Sequence, residues 1–147
     1  MQYITPIFLI LSNFFIIFID FLFIATYFSG MTTADFAEKI LKIDPEMLKR
    51  RIIFIKFIVA DGAVVFDPEL FVYFEKNYGE ESLYHKDIAG AHNIDLAKVQ
   101  GGAFVGVGDN VVKVSGFSTQ FGGVEDYRDL VASFFESYFD CPVEMEV

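Results

Sequence analysis

The chain has 147 residues, of which 54% are hydrophobic, and a net charge of −10 at pH 7. That length suits one domain with a real core, while the acidic balance argues against a nucleic-acid binder, which needs a basic face to displace counterions from phosphates. Cys141 is the only cysteine, so neither an intrachain disulfide nor a cysteine-based zinc site can be built, a usage that fits a reducing, intracellular domain.

The apolar excess lies before Gly30. Residues 7–28 are nearly all Ile, Leu and Phe, interrupted by Ser12, Asn13, Asp20 and Thr26. At 1.5 Å per residue this run is long enough to cross a hydrocarbon core of about 30 Å. A signal peptide fits worst, because no Lys or Arg precedes the run and no small-x-small site comes after it. Two readings stay open for residues 1–30. One is an apolar membrane-anchoring helix, with Lys39, Lys42 and Lys49-Arg50-Arg51 behind it holding the globular part in the cytoplasm, against a cost of about 2.5–3.5 kcal/mol for Asp20. The other is a spurious extension ahead of a working start at Met31. Either way residues 31–147 are the functional domain.

Within that domain, Thr33-Ala34-Asp35 and the apolar spacing after it predict a short helix that ends before Asp44-Pro45. Residues 51–59 are β-branched and aromatic, a buried strand flanked by charge, turned by Asp61-Gly62. Residues 64–66 form a short strand. Residues 70–74 (Leu-Phe-Val-Tyr-Phe) read as a strand by residue type, with a helix after Asp67-Pro68-Glu69 as the alternative. A helix is expected over 86–99, weakened by Gly90 and Asn93 and stopped by Gly101-Gly102. Residues 103–107 and 111–115 flank Gly108-Asp109-Asn110, a hairpin signal. Residues 124–139 carry Tyr127, Leu130, Val131, Phe134, Phe135 and Tyr138 on one helical face, and 143–147 make a last strand. The layout is α+β: a mixed β-sheet flanked by two main helices, preceded by the N-terminal apolar helix.

Two stretches draw attention as chemistry. His85 stands just ahead of the 86–99 helix, where the positive end of the dipole disfavours imidazolium and lowers the pKa. A neutral imidazole can attack phosphorus or take a proton from water. Taken alone, a histidine is more often a surface or core residue. His92, two turns on, lies about 10 Å away along the axis and reads as non-catalytic. The second stretch is Gly116-Phe117-Ser118-Thr119-Gln120-Phe121-Gly122, a strand-to-helix loop. By default such a loop is only a connection. As a phosphate cradle it offers the Ser118 hydroxyl and the backbone amides of Ser118, Thr119 and Gln120. A cation should assist them, and Arg51, otherwise an edge charge like Lys49, Arg50 and Lys56, is the candidate.

Tyr84-His85-x-Asp87-Ile88, then Gly101-Gly102, then Val114-x-Gly116-Phe117-Ser118-x-x-Phe121-Gly122, in that order, resembles the Janus/phosphohistidine phosphatase family over residues 43–147. The resemblance implies a mixed sheet with two main helices on its faces. It also implies a metal-independent, cofactor-free phosphatase acting on phosphohistidine, and on phospholysine as a second candidate, in proteins. The family's catalytic histidine falls on His85, its phosphate loop on Ser118, Thr119 and Gln120, and its strand lysine on Arg51. The chain departs from the family where Gly101-Gly102 runs into Ala103-Phe104 rather than a third Gly and an Arg. It departs again where Arg51 replaces lysine, which changes donor geometry. These departures keep an alternative open: a non-catalytic Janus-type module that binds a phosphorylated or acidic partner. A monomer in the cytoplasm is expected, with a phosphohistidine-containing protein as partner, no nucleic acid and no metal. Membrane contact, if made, goes through residues 7–28.

Overall fold

The computed structural model describes residues 30–78 and 83–147. The chain divides into two units, Met1–Met31 and Thr32–Val147. The apolar helix expected over 7–28 lies outside the described residues. Among the described residues no helix is long and apolar enough to cross a membrane.

The fold of Thr32–Val147 is α+β, with a five-stranded mixed sheet and four helices. Helix α1 (Thr33–Asp35) is capped by Thr32, whose Oγ1 accepts from the Asp35 amide at 3.0 Å. It runs on as a π-turn over Phe36–Leu41, which Lys42 closes in the left-handed region. Asp44 and Pro45 then start a 3-10 turn, Pro45–Lys49. Strand β1 (Ile53–Ala60) and β2 (Ala63–Val65) form a hairpin, succeeded by α2 (Pro68–Asn77) and α3 (His85–Ala91). After a 3-10 turn, β3 (Val99–Gly108) and β4 (Val111–Ser115) form the second hairpin, and α4 (Arg128–Tyr138) leads to β5 (Val143–Glu146).

Strand order is β2-β1-β3-β4-β5, antiparallel except for β4 and β5, which run parallel. That parallel step needs a crossover, which α4 supplies. Alternation along β1 sends Ile55, Phe57 and Val59 to one face. There Phe57 meets Phe135 of α4 edge-on at 5.0 Å, and Phe36 of the N-terminal turn meets Phe139 at 5.0 Å. Phe36, Phe57, Phe135 and Phe139 are among the largest fully buried side chains, each worth about 1.5–3 kcal/mol of burial. Ile58 and Ala60 point the other way and pack with Leu83, Ile88 and Ala89, covered by Leu70, Phe71 and Phe74 of α2. The sheet is thus buried on both faces.

Three elements differ from the sequence expectation. Residues 70–74 are helical: Asp67 caps the Leu70 amide at 2.9 Å and Pro68 sits in the first turn, and that start chemistry outweighs the strand preference of Phe, Val and Tyr. The 86–99 helix stops at Ala91, because Asn93 takes a left-handed φ of 57° and Asp95 then caps a separate turn. Gly101-Gly102, expected as a helix stop, lies within β3.

Candidate active site

His85 opens α3. Asp87 closes the helix start reciprocally: its Oδ2 accepts from the Tyr84 amide at 2.7 Å, and its own amide donates to Tyr84 O at 2.9 Å. Asp87 is therefore a capping residue and not an orienter of the imidazole. The imidazole drops onto β3, 7% exposed, with Nε2 3.1 Å from Ala103 O. A carbonyl only accepts, so Nε2 carries the proton and the lone pair of the neutral ring sits on Nδ1. Nδ1 has no hydrogen-bond partner among the described residues.

Room for the ring comes from Gly102. A Cβ there would lie 2.6 Å from His85 Cδ2, so no larger residue leaves the imidazole in place. Gly101 serves the opposite face in the same way, admitting the Gly123 carbonyl. The Phe104 ring stands edge-on to the imidazole at 5.5 Å, at the place where the family resemblance leads one to expect an arginine nearby. The site has an apolar wall instead.

The cation beside His85 is Lys56. Strand alternation puts it on the His85 face, opposite Phe104 in the β1–β3 register. Its Nζ donates to Leu83 O at 2.5 Å and lies 5.7 Å from the centroids of both the Tyr84 and Phe104 rings. Burial pushes the Lys56 pKa down, and the Asp87 carboxylate partly restores it. His85 is shifted down as well, first by burial and further by the nearby Lys56 charge, while its bond to Ala103 O opposes the shift. The downward direction agrees with the sequence expectation, but its leading cause is desolvation. The imidazole is neutral at pH 7.

Arg51 does not belong to this group. It precedes β1 by two residues, is exposed, and stands five residues from Lys56, about 16 Å along an extended chain. It lines a separate groove with Leu41, Ile43, Phe71 and Lys76. By sequence Lys56 is one of several charges flanking an apolar strand, and nothing sets it above Arg51.

The Ser118 loop reaches the same two residues of β3 from the side. Ser118 donates its amide to Gly102 O at 3.0 Å, and Gly102 donates to Gly122 O at 3.0 Å. His85 and the loop therefore converge on Gly102-Ala103. The loop's own hydrogen bonds differ from the expected open cradle. Ser118 Oγ is buried and accepts from the amides of Gln120 and Phe121 at 3.2 and 3.1 Å, and the Gly122 amide donates to Ser118 O. Of the three amides expected to hold phosphate, those of Ser118 and Gln120 are engaged, and only that of Thr119 has no partner among the described residues. Nor does the loop sit at a helix start, since α4 begins at Arg128 after an intervening 3-10 turn. The donors here are turn amides without a helix dipole behind them.

His92 ends α3 and bonds Asp67 Oδ2 at 2.7 Å, tying α3 to the cap of α2. A cleft of ≈140 Å³ opens beside Lys56, lined also by Phe54, Phe71, Leu83 and Phe104. Among the described residues no three His, Cys, Asp or Glu side chains converge where they could hold a metal ion. Comparison with known proteins yields no match to any family model, curated protein or solved structure.

Proposed function

We propose that the chain is a protein phosphohistidine phosphatase-like hydrolase, with phospholysine as a second candidate substrate. The observation that carries this reading is the state of His85: neutral, its Nε2–H held by Ala103 O, its Nδ1 lone pair without a partner, and a lysine alongside. In the base role Nδ1 takes a proton from water as the water oxygen attacks phosphorus. The P–N bond breaks, its electron pair returns to the substrate imidazole, and phosphate leaves. In the nucleophile role Nδ1 attacks phosphorus first, and water then cleaves the phosphorylated His85. Lys56 takes the charge-clamp role expected of Arg51, and the Thr119 amide is the loop donor still available to an anion. The leaving imidazole is a fairly good one, so one histidine and a few fixed donors suffice.

The test is phosphate release from chemically phosphorylated polyhistidine by the full chain, compared with His85→Ala. Release that disappears in the variant supports the proposal, and no release from the wild type refutes it. A quenched single turnover separates the two roles, because only the nucleophile leaves acid-labile phosphate on the protein. One observation favours a second reading, a non-catalytic module for phosphorylated or acidic partners: the Ser118 loop spends most of its amides on itself. That reading expects saturable binding of phosphopolyhistidine with no release.

A further inference from the structure

We propose that the groove at Arg51 is a binding site for a small amphiphilic anion, a carboxylate or phosphate monoester carried on a single apolar tail. The groove has a volume of ≈410 Å³, inside the range of about 300–1,000 Å³ that small-molecule sites take. Three elements of the Thr32–Val147 unit line it: the end of the N-terminal π-turn, the start of β1 and the middle of α2. Ile53 in the groove and Lys56 beside His85 are three residues apart on β1, hence on opposite faces of the sheet. Although α2 borders both places, this site is separate from the one at His85 and does not rest on the hydrolase reading.

Charge selects the head of the ligand. Acidic residues outnumber basic ones 21 to 11 along the chain, yet the groove gathers Lys42, Arg51 and Lys76 around one carboxylate, Glu75. Lys49, Lys98 and Lys113 each have a carboxylate at 3.3–3.8 Å. None of the three groove cations has an ion-pair partner among the described residues, so their combined field favours an anion. Lys42 adds a separate observation. It closes the π-turn at φ 60° and ψ 41°, a conformation that glycine takes freely and lysine does not. The turn alone would be better served by glycine, so it does not account for the lysine, whereas an anion in the groove does. The tail follows from the rest of the lining. Ile43, Ile53, Phe71 and Val72 are half-buried there, leaving apolar surface that an apolar tail would cover. A head among the cations and a tail on these side chains use both halves of the groove.

The test is an NMR titration of the full chain, labelled at the Ile, Leu and Val methyl groups. At least one of decanoate and decyl phosphate should shift the Ile43, Ile53 and Val72 methyls saturably, and added salt should weaken the binding. Acetate, which has a head and no such tail, should bind at least about tenfold more weakly. Decyltrimethylammonium, which joins the same tail to a positive head, should also lose about tenfold or more. The triple variant K42Q/R51Q/K76Q, changed only at exposed positions, should bind the anion about tenfold more weakly while its methyl spectrum stays dispersed as in a folded protein. Glu75→Gln removes the one like charge in the groove and should tighten binding about twofold. The proposal is overturned if neither anion moves the groove methyls, including the case where shifts are confined to the apolar run at residues 7–28. Equal affinity for acetate or for the cationic amphiphile, or an unchanged affinity in the folded triple variant, overturns it as well.

Discussion

The two histidines of this chain stand at opposite ends of one seven-residue helix, α3. His85, at its start, is 7% exposed, lies on bare glycine backbone and has a lysine beside it. His92, just past its end, is 40% exposed at the side chain and meets a carboxylate at 2.7 Å. One ring is stripped of water and denied an anion, so it resists protonation. The other lies against a carboxylate. Environment, and not residue type, separates the proposed reagent from a tether.

The sharpest break of that contrast is to remove each ring in turn. His85→Ala should lower phosphate release by about 10³-fold, within the range for loss of a general base, whereas His92→Ala should leave it within about twofold. Equal losses in the two variants would mean that α3 is needed as a whole and that His85 holds no special place.

Gly102→Ala probes the same site without touching a polar group. The added methyl must displace the imidazole, and misplacement of about 1 Å costs about 10²-fold. A crystal structure of the variant should show the ring moved off Ala103 O. An unmoved ring with full activity would contradict the role given to the glycine.

Lys56→Met should reduce activity by about tenfold, the order expected for one exposed-side phosphate contact of about 1–2 kcal/mol. It also changes the pH profile. The wild-type acid limb should fall below the ordinary histidine value of 6.5, because burial and Lys56 both disfavour the imidazolium. Removing the lysine charge should move that limb upward while leaving it present. Stability obeys the same linkage: with the folded pKa depressed, the contribution of neutral His85 is present above about pH 6.5 and is lost as pH falls from there through the folded value. Thermal melts from pH 7.5 to 4.5 should show this dependence in the wild type and not in His85→Ala.

Much of this architecture is legible in the residues alone, and the failures have physical causes. The strands around Phe57 and Val105 and the helix carrying Phe135 declare themselves by local pattern, since each buries a face whose period is set by its own backbone. His85 stands out for its place ahead of a helix. Lys56 does not, because its importance arises from the β1–β3 register, which sets it opposite Phe104, and register is not a local property. The pair Gly101-Gly102 reads as a break and is in fact a site of close approach, distinguishable only once the ring and the Gly123 carbonyl are seen over it. The Ser118 loop is legible as a turn. That its hydroxyl turns inward to accept two of its own amides depends on a competition between local and ligand hydrogen bonds that sequence does not decide.

The smallest expected effect sharpens the other end of the comparison. Asp67 serves twice: Oδ1 caps the Leu70 amide of α2 at 2.9 Å, and Oδ2 meets His92 at 2.7 Å. Asp67→Asn keeps a cap acceptor of comparable quality and removes the charge, so it should cost no more than an exposed ion pair, about 0.2–1 kcal/mol. Asp67→Ala removes both, for about 1 kcal/mol more from the lost cap. An ion-pair tether predicts that the difference between wild type and Asp67→Asn shrinks in high salt, while the penalty for Asp67→Ala persists through its cap component. Urea denaturation of the three proteins in low and in high salt measures both. If Asp67→Asn is as damaging in high salt as in low, the contact with His92 owes little to charge, and the two ends of α3 differ less in electrostatics than in burial.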